Sequence, residues 1–197
     1  MTTIRPAWGQ VFLAPPNMTA DELLRMNEQA DDGTRYELFD GLLVREGIEM
    51  TSAGHAVLCQ RLGLLLGNYA QSSGFANPIV QNMLFDLSPA GSSNRITLAP
   101  DVAKLRATTP VSWTGVPHDS PLLAIEILSP SQTTADLALE SHAFLDAGAE
   151  EVWVIDHKAR TVEVRTLQGT RPLDEKAPLT SALLPGFSVS VRFLLDG

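Results

Sequence analysis

Leu122-Leu-Ala-Ile-Glu-Ile-Leu128, followed by Ser129-Pro-Ser131, is an apolar run broken by a single acid, Glu126. A continuous run of this length, closed by a Ser-Pro turn, is how a central strand buried on both faces reads. The segment before it, Arg95-Ile-Thr-Leu-Ala-Pro-Asp101-Val102, has the same character and carries Asp101 directly after Pro100. Acids rarely enter such surroundings unless they are paired or hold a metal. Consecutive strand-like segments neighbour one another in space about two times in three.

Outward from this pair the chain alternates helical and extended patterns. Residues 1–18 are Pro-rich and aperiodic and predict an extended arm, followed by one domain over 19–197. Thr19 and Glu22 form a capping-box signature at the start of a short helix. Tyr36–Phe39 and Leu42–Val44 flank Asp40-Gly41 and predict a hairpin. Ser52–Ala70 is the longest helical pattern and ends at Gly74, with Cys59 on its apolar face as a packed thiol. Ile79–Leu87 and Ile96–Leu105 each read as one strand. Pro110, Gly115 and Pro117 mark a long loop holding Trp113. A helix capped at Thr133 or Thr134 runs to Ala147, with Gly148 beyond it. Strands follow at Glu151–Asp156, Thr161–Thr166 and near Phe187–Leu194. The order predicts a single α/β (α+β) domain with a mixed β-sheet flanked by helices.

Composition narrows the function. With 14 basic and 23 acidic residues the formal net charge is −9, which argues against a protein that coats nucleic acid by bulk electrostatics. A nuclease whose carboxylates hold cations stays compatible with that charge. One cysteine excludes an internal disulfide framework and a cysteine-built zinc cage. No apolar run reaches the roughly 20 residues of a membrane helix, and the N-terminus has no charged leader before an apolar stretch. A cytoplasmic protein without membrane contact is the expectation.

Asp101 and Glu126, brought to one end of a sheet, could hold Mg²⁺ or Mn²⁺, because hard cations take carboxylate and water ligands. The competing reading makes Asp101 a turn acid and Glu126 a core acid paired with arginine. Glu37, flanked by Tyr36, Leu38 and Phe39, and His55, at the start of the long helix, are further candidates. A histidine there also serves as a cap or partner. His118, His142 and His157 share no ligand spacing. Two acids in acid/base roles on a sugar would be a third chemistry, but a glycosidase cleft wants more aromatic side chains than the 6% present.

The landmarks Tyr36-Glu-Leu-Phe-Asp-Gly41, Ser52-Ala-Gly-His55, Pro100-Asp101, Glu126-Ile-Leu-Ser-Pro-Ser131, Asp136, Ala147-Gly148 and Glu151-Val-Trp-Val-Ile-Asp156 occur in one order and spacing. In this the chain resembles the Uma2 (DUF820) family of restriction-endonuclease-like proteins, within the PD-(D/E)XK nuclease superfamily. The resemblance spans about residues 19 to 167. It implies a restriction-endonuclease-like core, DNA as substrate, and Mg²⁺ or Mn²⁺ held by Asp101 and Glu126. It also implies roles for Glu37 and His55, and a homodimer is expected. Two positions depart from the pattern. The superfamily's strand lysine would stand at 128, where the chain has leucine. The helix lysine of Uma2 relatives would stand at 140, where it has glutamate, so Glu140 joins the candidate site residues. Asp136 and Glu140, four apart, read as a solvated acidic face or as a further metal ligand. Lys104, three residues past Asp101, is expected to point to the other face. The alternative function is an inactive nuclease fold kept as a binding or interaction module.

Overall fold

The structure is a computed structural model that describes residues 9–46, 53–74, 78–93, 95–112, 114–129 and 132–197. Ser52, Trp113, Pro130 and Ser131 lie outside the described residues. Within the segment read as an arm, Gly9–Leu13 is a strand, β1. Thr19 caps α1 (Ala20–Glu28), with its side chain and that of Glu22 exchanging bonds with each other's backbone N–H groups. Strands β2 (Arg35–Phe39) and β3 (Leu42–Glu46) form the Asp-Gly hairpin. Asp40 and Gly41 both have positive φ, 51° and 77°, as the tight hairpin turn demands. β1 adds to this hairpin antiparallel to β3. Leu23 of α1 is fully buried and packs with Leu38, Leu43 and Leu84 beneath it.

Helix α2 (Ala53–Ser73) comes next, and then four short strands: β4 (Ile79–Val80), β5 (Phe85–Asp86), β6 (Ile96–Leu98) and β7 (Val102–Lys104). Each of the two strands expected over 79–87 and 96–105 is thus broken in the middle. β5 and β6 join the first sheet, in the order β1-β3-β2-β6-β5. β4 and β7 join a second sheet. The hairpin register runs straight through the break, from Phe85↔Leu98 and Asp86↔Thr97 to Val80↔Ala103 and Ile79↔Lys104. The two strands therefore bend together with no inserted residue. Asn82 takes a φ of 50° at the bend, and its N–H donates to the carbonyl of Pro100, which has no N–H of its own. Asp101 is the first residue beyond it.

The remaining elements are β8 (Leu123–Ile127), α3 (Thr134–Asp146), β9 (Glu151–Asp156), β10 (Thr161–Thr166), β11 (Gly169–Leu173), β12 (Pro178–Leu179), β13 (Val189–Ser190) and α4 (Val191–Asp196). The last predicted strand is therefore corrected: only Val189–Ser190 is extended, and Ser190 then caps a short helix. The second sheet runs β11-β10-β9-β8-β7-β4. β8 and β9 are parallel, joined by α3, while the other pairs in this sheet are antiparallel. The mixed sheet flanked by helices is the predicted architecture.

The five residues of β8 are all buried, because both faces of this sheet are covered. On one face Leu58, Cys59, Leu62 and Leu66 of α2 pack with Val102, Leu123, Ile125, Ile127 and Trp153. On the other, Leu137, Ala143 and Phe144 of α3 pack with Ala103, Ala124, Leu128, Val152 and Val154. α3 is fixed at its start by a second capping box. Thr133 N and Oγ1 donate to Asp136 Oδ2 at 2.8 and 2.7 Å, and Asp136 N donates to Thr133 Oγ1. Thr133→Ala should cost about 1 kcal/mol, read as a lower urea midpoint with unchanged slope. Among the described residues no helix is long and apolar enough to cross a membrane.

Candidate metal centre at the strand bend

The β7–β8 ladder pairs Lys104 with Leu123, Ala103 with Ala124 and Val102 with Ile125. Asp101 and Glu126 are the next residues beyond this ladder, one on each strand. The ladder stops there because the chain turns away at Pro100. The N–H of Ile127 is satisfied instead by the Asp101 carboxylate, whose Oδ2 accepts it at 2.8 Å. The same oxygen lies 3.2 Å from His55 Nε2. Asp101 is thus reached by the backbone of β8 and by a side chain of α2 at once.

His55 has Cys59 on its other side, with Sγ 3.5 Å from Nδ1. Its pKa is pushed up to about 10, first by the hydrogen bond to Asp101, then by Cys59, against the opposing effect of burial. The ring is an imidazolium at neutral pH and offsets the charge of Asp101. Sequence reading singles out His55 but treats Cys59 only as a packed thiol. The i, i+4 spacing of the two on one helical face is the signal that joins them.

Glu37, buried on β2, reaches the same bend from the first sheet. Its Oε1 accepts the N–H of Ala99 at 2.8 Å. Glu37 holds the backbone two residues before Asp101 and His55 holds the carboxylate, so these two candidates converge on Ala99–Asp101. Glu126 directly follows Ile125, the end of the β8 ladder with β7.

Glu126 is 7% exposed and alternates with Ile125 and Ile127, which face α2, so it points to the α3 side with Ala124 and Leu128. Glu140 lies on the sheet-facing side of α3, between Leu137 and Phe144, and is also buried. Gln132 Nε2 donates to its two oxygens at 3.1 and 3.5 Å. The expectation of a solvated acidic face is corrected: Asp136 is 2% exposed and Glu140 4%. Asp136 is spent on the helix cap, and Glu140 enters the layer that also contains Glu126. At the expected lysine positions, Leu128 is packed in the core and Glu140 brings the opposite charge. Lys104 is buried on the α2 side with Val102, away from Glu126, and burial lowers its ammonium pKa.

A family model described as "Uma2: Putative restriction endonuclease" matches residues 20–192. Among solved structures, the chain is similar to the crystal structure of "a putative nuclease belonging to DUF820 from Anabaena variabilis ATCC 29413". The two share 16% identity with a TM-score of 0.72, over 88% of this chain and 97% of that one. At that identity the likeness is one of fold. No curated protein matches the chain.

Proposed function

The chain belongs to the Uma2 family, and from that premise we propose that it is a Mg²⁺- or Mn²⁺-dependent endonuclease hydrolysing phosphodiester bonds of DNA. The observation that supports this reading is the register of β7 on β8, whose last pair, Val102↔Ile125, is flanked by Asp101 on one strand and Glu126 on the other. Two carboxylates from adjacent strands are a hard-oxygen donor set that suits Mg²⁺ or Mn²⁺. When bound, such an ion polarises a phosphoryl oxygen and lowers the pKa of a coordinated water.

The chain's own residues prepare that site. Asp101 and Glu126 are the ligands. The Ile127 N–H and the His55 ring both engage Asp101 Oδ2, which fixes the carboxylate's orientation and leaves Oδ1 without a hydrogen bond among the described residues. Glu37 anchors Ala99 and so determines where the chain bends into Asp101. Leu128 and Glu140 supply no cation at the two positions where a lysine is expected, and the cationic side chain that touches Asp101 is His55.

The burial of Glu140 in that layer favours a second reading, a binding module that keeps the fold without cleavage. Incubation of supercoiled plasmid with the purified chain separates the two. Nicking or linearisation in Mg²⁺ or Mn²⁺ that stops with chelator is the result expected of the nuclease. Retarded but intact DNA in both ions would select the binding module.

A further inference from the structure

We propose that His55, Cys59 and Asp101 form a site for a thiophilic divalent cation, of the Zn²⁺ class, distinct from the all-oxygen pair Asp101–Glu126. His55 and Cys59 are four residues apart on α2 and project from one face of it. That face lies on β7 and β8, which brings both side chains to Asp101 at the bend. Cys59 Sγ is 3.5 Å from His55 Nδ1, and His55 Nε2 is 3.2 Å from Asp101 Oδ2. One donor atom from each residue lies within 4.8 Å of the other two.

The donor types decide the ion. A thiolate and an imidazole favour Zn²⁺ and Co²⁺, whereas Mg²⁺ takes oxygen and keeps its waters. Three protein donors leave one tetrahedral position open to water. The ion has a path in, because the side chains of His55 and Asp101 keep 12% and 17% of their surface exposed while Cys59 is covered. The imidazole now touches both neighbours and can give an ion only one nitrogen. Binding therefore exchanges one of its two hydrogen bonds for a metal bond, and the ligands give up protons to solvent as they coordinate. Asp101 belongs to both donor sets, and its two oxygens allow it to serve both ions. That sharing rests on the nuclease reading, and the thiolate site does not.

The test is a titration of the full chain with Co²⁺, without DNA or Mg²⁺, following thiolate-to-cobalt charge-transfer absorption in the near ultraviolet. The expected result is a band that saturates at one equivalent, is displaced by Zn²⁺, and is unchanged in Glu126→Gln. Cys59→Ser should lose the band while keeping the circular dichroism of the folded chain. His55→Ala should weaken binding on the order of tenfold or more. Absence of the band in the wild-type chain, or its persistence in folded Cys59→Ser, overturns the proposal. So does its loss in Glu126→Gln, which would put the ion on the carboxylate pair. A chain that shows the band but never cuts DNA retains this site and loses the nuclease reading, and a chain that cuts without the band does the reverse.

Discussion

Glu126→Gln is expected to lower Mg²⁺-dependent cleavage of DNA by about 10²–10³-fold with the fold intact. Glutamine keeps the length and shape of the side chain and removes one of the two negative charges that would hold the ion. Glu126 is a cleaner probe than Asp101, because Asp101 also closes the end of the ladder. Its Oδ2 accepts the Ile127 N–H and faces His55, so Asp101→Ala would lose packing and hydrogen bonds along with any ligand role. The assay compares single-turnover rates of the two proteins at saturating Mg²⁺, alongside their thermal transitions. A variant that cuts at the wild-type rate would remove Glu126 from the mechanism.

Trp153→Ala should destabilise the chain by about 3–5 kcal/mol. Trp153 is fully buried on β9, between β8 and β10, in the layer under α2. Its ring stacks on Phe187 with centroids 6.1 Å apart and planes 26° apart. Its Nε1–H donates to the buried Glu151 carboxylate at 3.0 Å, so truncation leaves both a cavity and an acid that has lost a donor. Against a typical domain stability of roughly 5–15 kcal/mol the loss is large. Urea unfolding of both proteins measures it. A change under about 1 kcal/mol would mean that the layer between α2 and the sheet is not the main core.

Where local chemistry decides conformation, the fold is legible in the residues. The Thr19–Glu22 capping box, the Asp40-Gly41 turn, the buried run of β8 and the helix ending before Gly148 all follow from contacts a few residues long. The bend at Asn82 and Pro100 does not, because apolar residues continue on both sides of it in unbroken register and only the second sheet reveals the turn. The strand expected near Phe187–Leu194 gives way to a helix for a related reason. Six residues of helix carry too few turns to show a period, and the Ser190 cap is its main mark.

The site divides the same way. Asp101 and Glu126 stand out because each is an acid in an apolar strand. The burial of Asp136 and Glu140 depends on which face of α3 meets the sheet, and an i, i+4 pair of acids does not carry that information. Glu37 finds its partner in a backbone amide sixty-two residues away, and Cys59 finds His55 only once α2 is set against the bend.

The central claim is that Asp101 and Glu126 share one divalent ion. A crystal of the chain soaked in Mn²⁺, with data collected for anomalous scattering, tests it most directly. A single anomalous peak within bonding distance of both carboxylates is the predicted result. A fully occupied peak elsewhere, or none near either residue at saturating Mn²⁺, would contradict it.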